Sequence, residues 1–111
     1  MYGGLMMATA QDDEVGLSLQ GIRALRAGVL ARQSHVEMPY VEMYHRDLDG
    51  LQAAGHNVDG YRIPAGWLVS RNVIDIYRGT GHRSHLSVDA RFMRARVDSL
   101  LAALSKHPVT A

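Results

Sequence analysis

The sequence contains no cysteine, which excludes disulfides, thiolate zinc sites and cysteine nucleophiles together. It also lacks an apolar run approaching the roughly 20 residues that a membrane-spanning helix needs. Its N-terminus does not show the basic-then-apolar order of a secretory signal. We therefore expect a cytoplasmic protein without a membrane partner.

Long stretches of disordered composition are also missing, apart from the first ten residues. A chain of 111 residues fits one domain and should bury about 65% of the unfolded chain's surface. Residues 1–10 hold three methionines and two adjacent glycines without periodicity, so they predict a mobile leader in which Met6 or Met7 is an alternative start. We expect a single helical domain over residues 11–107 and a tail over 108–111.

A first helix is predicted to begin near Asp12, because residues 9–12 have capping-box spacing and acidic residues follow. Gly21 and Gly28 weaken it, since an interior glycine costs roughly 1 kcal/mol relative to alanine, but they also allow a neighbouring element to approach closely. We expect a bend at residues 33–35. The stripe of this helix is Val15, Leu19, Ile22, either Leu25 or Arg26, and Val29.

The clearest helical pattern spans residues 38–54 and is followed by Gly55, which can adopt the left-handed conformation that ends a helix. The chain then enters a predicted corner at residues 61–67, because Ile63 precedes a proline and is biased toward extended geometry. This corner is expected to pack on the helix. The predicted structural anchors of the region are Tyr44, Leu48, Leu51, Ile63 and Trp67.

The last third of the chain gives mixed signals. Residues 64–70 favour a short helix, whereas residues 71–79 contain both helical spacing and β-forming residues and stay undecided. Ser87 is expected to cap a final helix that ends near Lys106. The stripe of that helix is Leu86, Ala90, Met93, Val97, Leu100 and Leu104.

Together these patterns predict an all-α fold. It is a small bundle of three main amphipathic helices plus one short helix, with a minor β-hairpin near residues 73–77 as the alternative to an entirely helical chain. No internal repeat is present.

Charge is unevenly distributed although the net charge is only +1. Residues 1–59 hold four basic and eight acidic residues, and residues 60–111 hold eight basic and three acidic residues. Residues 71–96 are the most basic stretch, and glycines within it can present backbone amides to an anion. The candidate interaction or anion-binding residues are Arg78, His82, Arg83, His85, Arg91 and Arg94.

A metal site and a cofactor site are not predicted. His82 and His85 could supply two imidazole ligands, but no third ligand stands at a diagnostic spacing. Residues 57–61 resemble the middle of an EF-hand calcium loop, yet loop positions 1 and 12 would be Gly55 and Gly66 instead of carboxylates.

Arg78 and His85 have an Arg-x6-His spacing that resembles the catalytic motif of the all-α HEPN ribonucleases. In that family Arg and His from paired helices cleave RNA at a dimer interface. Here Gly79 and Gly81 interrupt the spacing, and Gly79 replaces the polar residue that usually follows the Arg. A HEPN-like ribonuclease is therefore the lowest of three functional alternatives.

The leading expectation is a non-catalytic α-helical protein-interaction module of bacterial or phage-like type, acting as an adaptor, regulator or assembly subunit. Its partner is another protein or a second copy in a homo-oligomer. The runner-up is a nucleic-acid-binding protein that uses the basic patch of residues 71–96, although strong net basicity and stacking aromatics are not evident in the sequence.

Overall fold

The fold combines helices with a small antiparallel sheet, as seen in a computed structural model that describes residues 16–74 and 82–106. The predicted leader, the first turn of the first helix and the C-terminal tail lie outside these residues. The elements in chain order are α1 (16–27), α2 (Val29–Arg32), β1 (His35–Glu37), α3 (Met38–Ala53), two 3-10 turns (Asp59–Tyr61 and Ala65–Trp67), β2 (Leu68–Ile74), β3 (His82–Asp89) and α4 (Ala90–Lys106).

The predicted all-α fold is wrong, because three strands form a sheet in the order β1-β3-β2. All neighbours are antiparallel, and β3 lies in the centre. Val36 in β1, Val88 in β3 and Leu68 in β2 stand side by side in the register, and the two valines are fully buried. This end of the sheet therefore closes one side of the core.

The final helix begins later than its apolar spacing predicted. Leu86 and Ser87 belong to β3, and α4 starts at Ala90. The capping residue is Asp89 rather than Ser87, because an Asp89 carboxylate oxygen accepts the Arg91 backbone N–H at 2.9 Å. The Ala90 N–H also donates to the Ser34 carbonyl, at 2.9 Å, which ties the start of α4 to the chain just before β1.

The prediction of a short helix at residues 64–70 is also wrong. Only the 3-10 turn Ala65–Trp67 forms, and β2 begins at Leu68. In the undecided segment, residues 71–74 are strand, and residues 75–79 lie outside the described range. A hairpin is thus present, but its strands are longer than the minor hairpin considered near residues 73–77.

The predicted break at residues 33–35 is confirmed, since the helical segment ends at Arg32, Gln33 is extended and β1 starts at His35. A further interruption lies at Gly28. Its backbone angles, φ −99° and ψ −97°, are not helical, and they separate α1 from the single turn of α2. Gly21 has a different role: a Cβ at this position would collide with the Asp47 carboxylate of α3. The glycine therefore leaves room for the Asp47 side chain against α1.

Helix α3 carries the centre of the core, and its bounds agree with the predicted helix 38–54 within one residue. Its buried stripe is Val41, Tyr44, Leu48 and Leu51. Buried side chains from other parts of the chain belong to the same core, namely Ile22, Leu25, Leu30, Val36, Val58, Ile63, Val88, Ala90, Met93, Val97 and Leu100. None of the helices in the described ranges is both long and apolar enough to cross a membrane.

A tight corner follows α3. Gly55 has φ 102°, and the N–H groups of Gly55 and His56 donate to the carbonyls of Gln52 and Leu51, which is the Schellman arrangement. Two hydrogen bonds then hold the returning chain on α3. The Tyr44 hydroxyl donates to the Tyr61 carbonyl at 2.7 Å, and the Ile63 N–H donates to His45 Nε2 at 3.0 Å.

Candidate interaction groove

A groove of about 300 Å³ lies between the two 3-10 turns and one face of α4. We call it the aromatic groove. It is open to solvent, and its lining residues are Gly60, Tyr61, Trp67, Phe92, Ala95, Arg96 and Ser99. An open, largely apolar groove of this kind suits a side chain or a short segment of a partner better than it suits a buried small-molecule substrate.

Two aromatic rings form its apolar wall. The ring centroids of Trp67 and Phe92 are 5.6 Å apart with the planes tilted by 46°, which lies within the range of favourable aromatic pairs. Phe92 remains 51% exposed, although it is one of the largest apolar side chains on α4. The pair therefore leaves apolar surface that a partner can still cover.

Arg96 supplies the charge of the groove. Its guanidinium carbon lies 4.4 Å from the centroid of the Trp67 ring, in a cation–π arrangement, and its Nη1 donates to the Arg62 carbonyl at 2.5 Å. Within residues 16–74 and 82–106 it makes no ion pair with a carboxylate. An anionic group entering the groove would thus meet a positioned arginine whose positive charge no described carboxylate balances.

Hydrogen bonds between α3 and residues 62 and 63 hold in place the side of the groove that the two 3-10 turns form. Arg62 Nη2 pairs with Asp49 Oδ1 at 2.5 Å and also donates to Gln52 Oε1 at 3.2 Å. His45 accepts a backbone hydrogen bond one residue further on, at Ile63. Burial lowers the pKa of His45, and the nearby positive charge of Arg62 lowers it further, so the neutral imidazole that can accept this bond is favoured.

Of the predicted anion-binding residues, the structure describes the side chains of His85, Arg91 and Arg94. Arg91 pairs with Asp89 at 2.7 Å, and its hydrogen bonds hold the pKa of that carboxyl down at about 2. The Arg94 side chain of α4 donates a hydrogen bond to the Leu30 carbonyl of α2, at 2.7 Å. His85 is half-buried in β3 opposite Arg71.

The structure describes less of the other three candidate anion-binding residues. Arg78 lies outside the described residues, and His82 and Arg83 are placed only as backbone positions of β3. The HEPN resemblance requires its His near the end of a helix, whereas His85 lies in the middle strand of a sheet. The motif therefore lacks the helical setting that the resemblance implies.

The outward face of the sheet gathers polar side chains without forming a metal centre. The antiparallel register places His35 opposite Asp89, and Glu37 opposite Ser87. Ser87 Oγ and His35 Nδ1 are both buried and have no hydrogen-bond partner among the described residues. No three His, Asp or Glu side chains in the described part of the chain are close enough to share a metal ion.

Sequence reasoning found one member of the aromatic groove and missed the others. Trp67 was predicted as an anchor on α3, yet its described ring contacts are with Phe92 and Arg96 of α4. The other predicted anchors, Tyr44, Leu48, Leu51 and Ile63, are buried in the core. Phe92 carried a usable signal, since it is a lone phenylalanine next to an arginine and off the apolar stripe of its helix.

No protein-family model matches the chain, and comparison with curated proteins and with solved structures also returned no match.

Proposed function

We propose that this protein is a non-catalytic interaction module that binds an acidic segment of a partner protein in the aromatic groove. The observation that carries the proposal is Arg96 stacked on Trp67 beside an exposed Phe92. An apolar side chain of the partner would cover Phe92 and Trp67, and a neighbouring carboxylate would pair with Arg96. Trp, Tyr and Arg are the residue types that most often dominate binding energy at protein interfaces.

The charges favour an acidic partner over a basic one. Arg96 accepts a carboxylate with charge-assisted hydrogen bonds, and partial shielding from water by the two aromatic rings strengthens such a pair. Arg62, on the neighbouring turn, is already paired with Asp49. Specificity would therefore rest mainly on a single charge combined with an apolar anchor.

Nothing in this proposal requires catalysis. In the described residues, the titratable groups whose pKa departs most clearly from its usual value have structural partners: Tyr44 donates to a backbone carbonyl, and Asp89 caps α4. Both groups are engaged within the fold rather than displayed in the aromatic groove. Within the proposal the module works in the cytoplasm, as its cysteine-free composition suggests.

The sole tryptophan makes the proposal directly testable, since Trp67 fluorescence reports on the groove alone. The probe is a synthetic peptide with one phenylalanine flanked by glutamates. We expect it to change the Trp67 emission in a saturable way, and we expect a matched peptide with lysines in place of the glutamates to have no effect. Equal binding of both peptides, or of neither, would contradict the proposal.

Two variants locate the binding. Phe92→Ser should weaken the acidic peptide about tenfold or more, as expected for an interface anchor worth at least 1.4 kcal/mol. Leu17→Ser is the matched control, because Leu17 is an exposed apolar residue of α1 that does not line the groove. Single-stranded oligothymidylate is titrated in parallel. Binding of the oligonucleotide alone, lost in Phe92→Ser, would reject a protein partner in favour of nucleic acid.

A further inference from the structure

Strand β2, one of the two outer strands of the sheet, has an open hydrogen-bonding edge. The order β1-β3-β2 leaves β2 with a neighbour on one side only, and in the described part of the chain no other strand pairs with it. Alternate residues of Leu68–Ile74 thus point their backbone N–H and C=O groups away from β3, toward the open edge. Such an edge is a ready template for another strand.

The features that usually protect an edge strand are few in β2. The register runs without interruption from Leu68 opposite Val88 to Ile74 opposite His82, so the strand has no bulge. Its sequence, LVSRNVI, contains neither proline nor glycine, and Arg71 is its only charge. The edge is therefore regular, and few features prevent another strand from pairing with it.

Apolar surface accompanies this edge on both faces of the hairpin. Val69 of β2 is 48% exposed and shares the outward face with Ser87, whereas Leu86 of β3 is 49% exposed and shares the opposite face with Ser70. Residues 70–72 are exposed as well. A strand added to β2 would cover part of each face in addition to satisfying the backbone.

We propose that β2 pairs antiparallel with β2 of a second copy, which joins two three-stranded sheets into one six-stranded sheet. A second copy fits because an antiparallel edge is complementary to itself: a two-fold axis perpendicular to the sheet presents the donors of each strand to the acceptors of the other. This self-association does not involve the aromatic groove, so either proposal can fail alone.

The sequence of β2 restricts the register. The two-fold axis keeps each sheet face on its own side, so one residue must lie on the axis opposite its own copy. An axis at Arg71 would place two guanidinium groups directly opposite each other, and like charges in that position are destabilising. An axis nearer either end of β2 would pair fewer residues of the two strands, so the axis passes through Ser70 or Asn72. Arg71 then lies beside an aliphatic residue, Val69 or Val73, of the second copy.

The first test is the mass in solution. Light scattering at micromolar concentrations should show a dimer for the wild type and a monomer for the double variant Ser70→Lys, Asn72→Lys. In a register with the axis at residue 70, 71 or 72, this variant places lysine opposite lysine. Ala102→Lys with Ser105→Lys adds the same charge on exposed positions of α4 and should remain dimeric. Circular dichroism checks that all three proteins are folded.

A second test reads the register, using the absence of native cysteine. Under mild oxidation, Ser70→Cys or Asn72→Cys should form a disulfide-linked dimer, because the Cα atoms of residues that face each other are roughly 4.5 to 5.5 Å apart. Arg71→Cys should not, since its nearest copy would be a diagonal neighbour at roughly 7 to 8 Å.

Three results would overturn the inference. A wild-type monomer at every concentration would exclude self-association, and a dimer that survives the two lysines would place its interface elsewhere. Disulfide formation through Arg71→Cys alone would reject the proposed register. A dimer lost only in the edge-strand variant and cross-linked at Ser70→Cys or Asn72→Cys supports the proposal.

Discussion

The apolar stripes of the helical body (α3 and α4) and the exposed part of the β2–β3 hairpin use apolar side chains in opposite ways. In the body, the stripes of α3 and α4 are buried almost completely, and Tyr44, Leu48, Met93 and Val97 have no exposed surface. In the hairpin, Val69 and Leu86 keep about half of their surface exposed. The difference indicates that the two buried stripes supply most of the stability, whereas Val69 and Leu86, like Phe92 on α4, leave apolar surface for association.

The largest effect is expected when a buried side chain at the centre of the core is shortened. Leu48→Ala removes a fully buried side chain of α3, and we expect it to lower the free energy of unfolding by roughly 2 to 5 kcal/mol. Urea denaturation followed by circular dichroism measures the loss. Leu17→Ala is the exposed control and should change little; comparable losses in the two variants would mean that the α3 stripe is not the core.

A second variant tests the corner between the body and the aromatic groove. Tyr44→Phe removes the hydroxyl that donates to the Tyr61 carbonyl and leaves the ring in place. The expected loss is about 1 kcal/mol, because a partly buried carbonyl loses its partner. Since Tyr61 lines the groove, the Trp67 emission should shift in the same variant. An unchanged stability and spectrum would show that this hydrogen bond does not hold the corner.

The same corner should make stability depend on pH. The folded-state pKa of His45 lies below its usual value of 6.5, so its contribution is complete above that value and is lost as pH falls through it. We expect the melting temperature to drop as the pH falls from about 6.5 toward the lowered pKa of folded His45. In His45→Gln, whose amide oxygen can still accept the Ile63 N–H, this drop should be smaller.

His56→Gln serves as the matched control for that experiment, because His56 follows α3 and takes no part in the bond to Ile63. It should retain the pH profile of the wild type. A profile that is flattened equally in both variants would assign the pH dependence to something other than His45.

The smallest expected effect lies in the hairpin. Leu86→Ala removes a half-exposed side chain, and at low protein concentration it should change the free energy of unfolding by no more than about 0.5 kcal/mol, the range of ordinary surface substitutions. The measurement is the same urea denaturation that is used for Leu48→Ala. A loss approaching that of Leu48→Ala would erase the distinction between the body and the hairpin.

The failure of the all-α prediction has a local cause. Leu86 continues the spacing of Ala90, Met93 and Val97 backwards by four residues, so a helical pattern extends across residues that are in β3. A strand is stabilised by partners that are remote in sequence, and here Val88 pairs with Val36 and with Leu68. Periodicity within one segment does not contain that information.

The aromatic groove could not be predicted from the sequence for a similar reason. Trp67 and Phe92 are separated by 25 positions in the sequence, and the separation becomes a contact only because the hairpin returns the chain to α4. Two of the predicted anion-binding residues also have partners within the fold. Arg91 pairs with Asp89, and Arg94 donates to the Leu30 carbonyl.

The sequence by itself determined the helix over residues 38–54, its stop at Gly55 and the weak point of the first helix at a glycine. Each depends on interactions within a few residues, such as the Schellman hydrogen bonds or the backbone freedom of glycine. Only the tertiary structure decided the sheet, the late start of α4 and the composition of the aromatic groove. These depend on pairing and burial between segments far apart in the chain, which local spacing cannot specify.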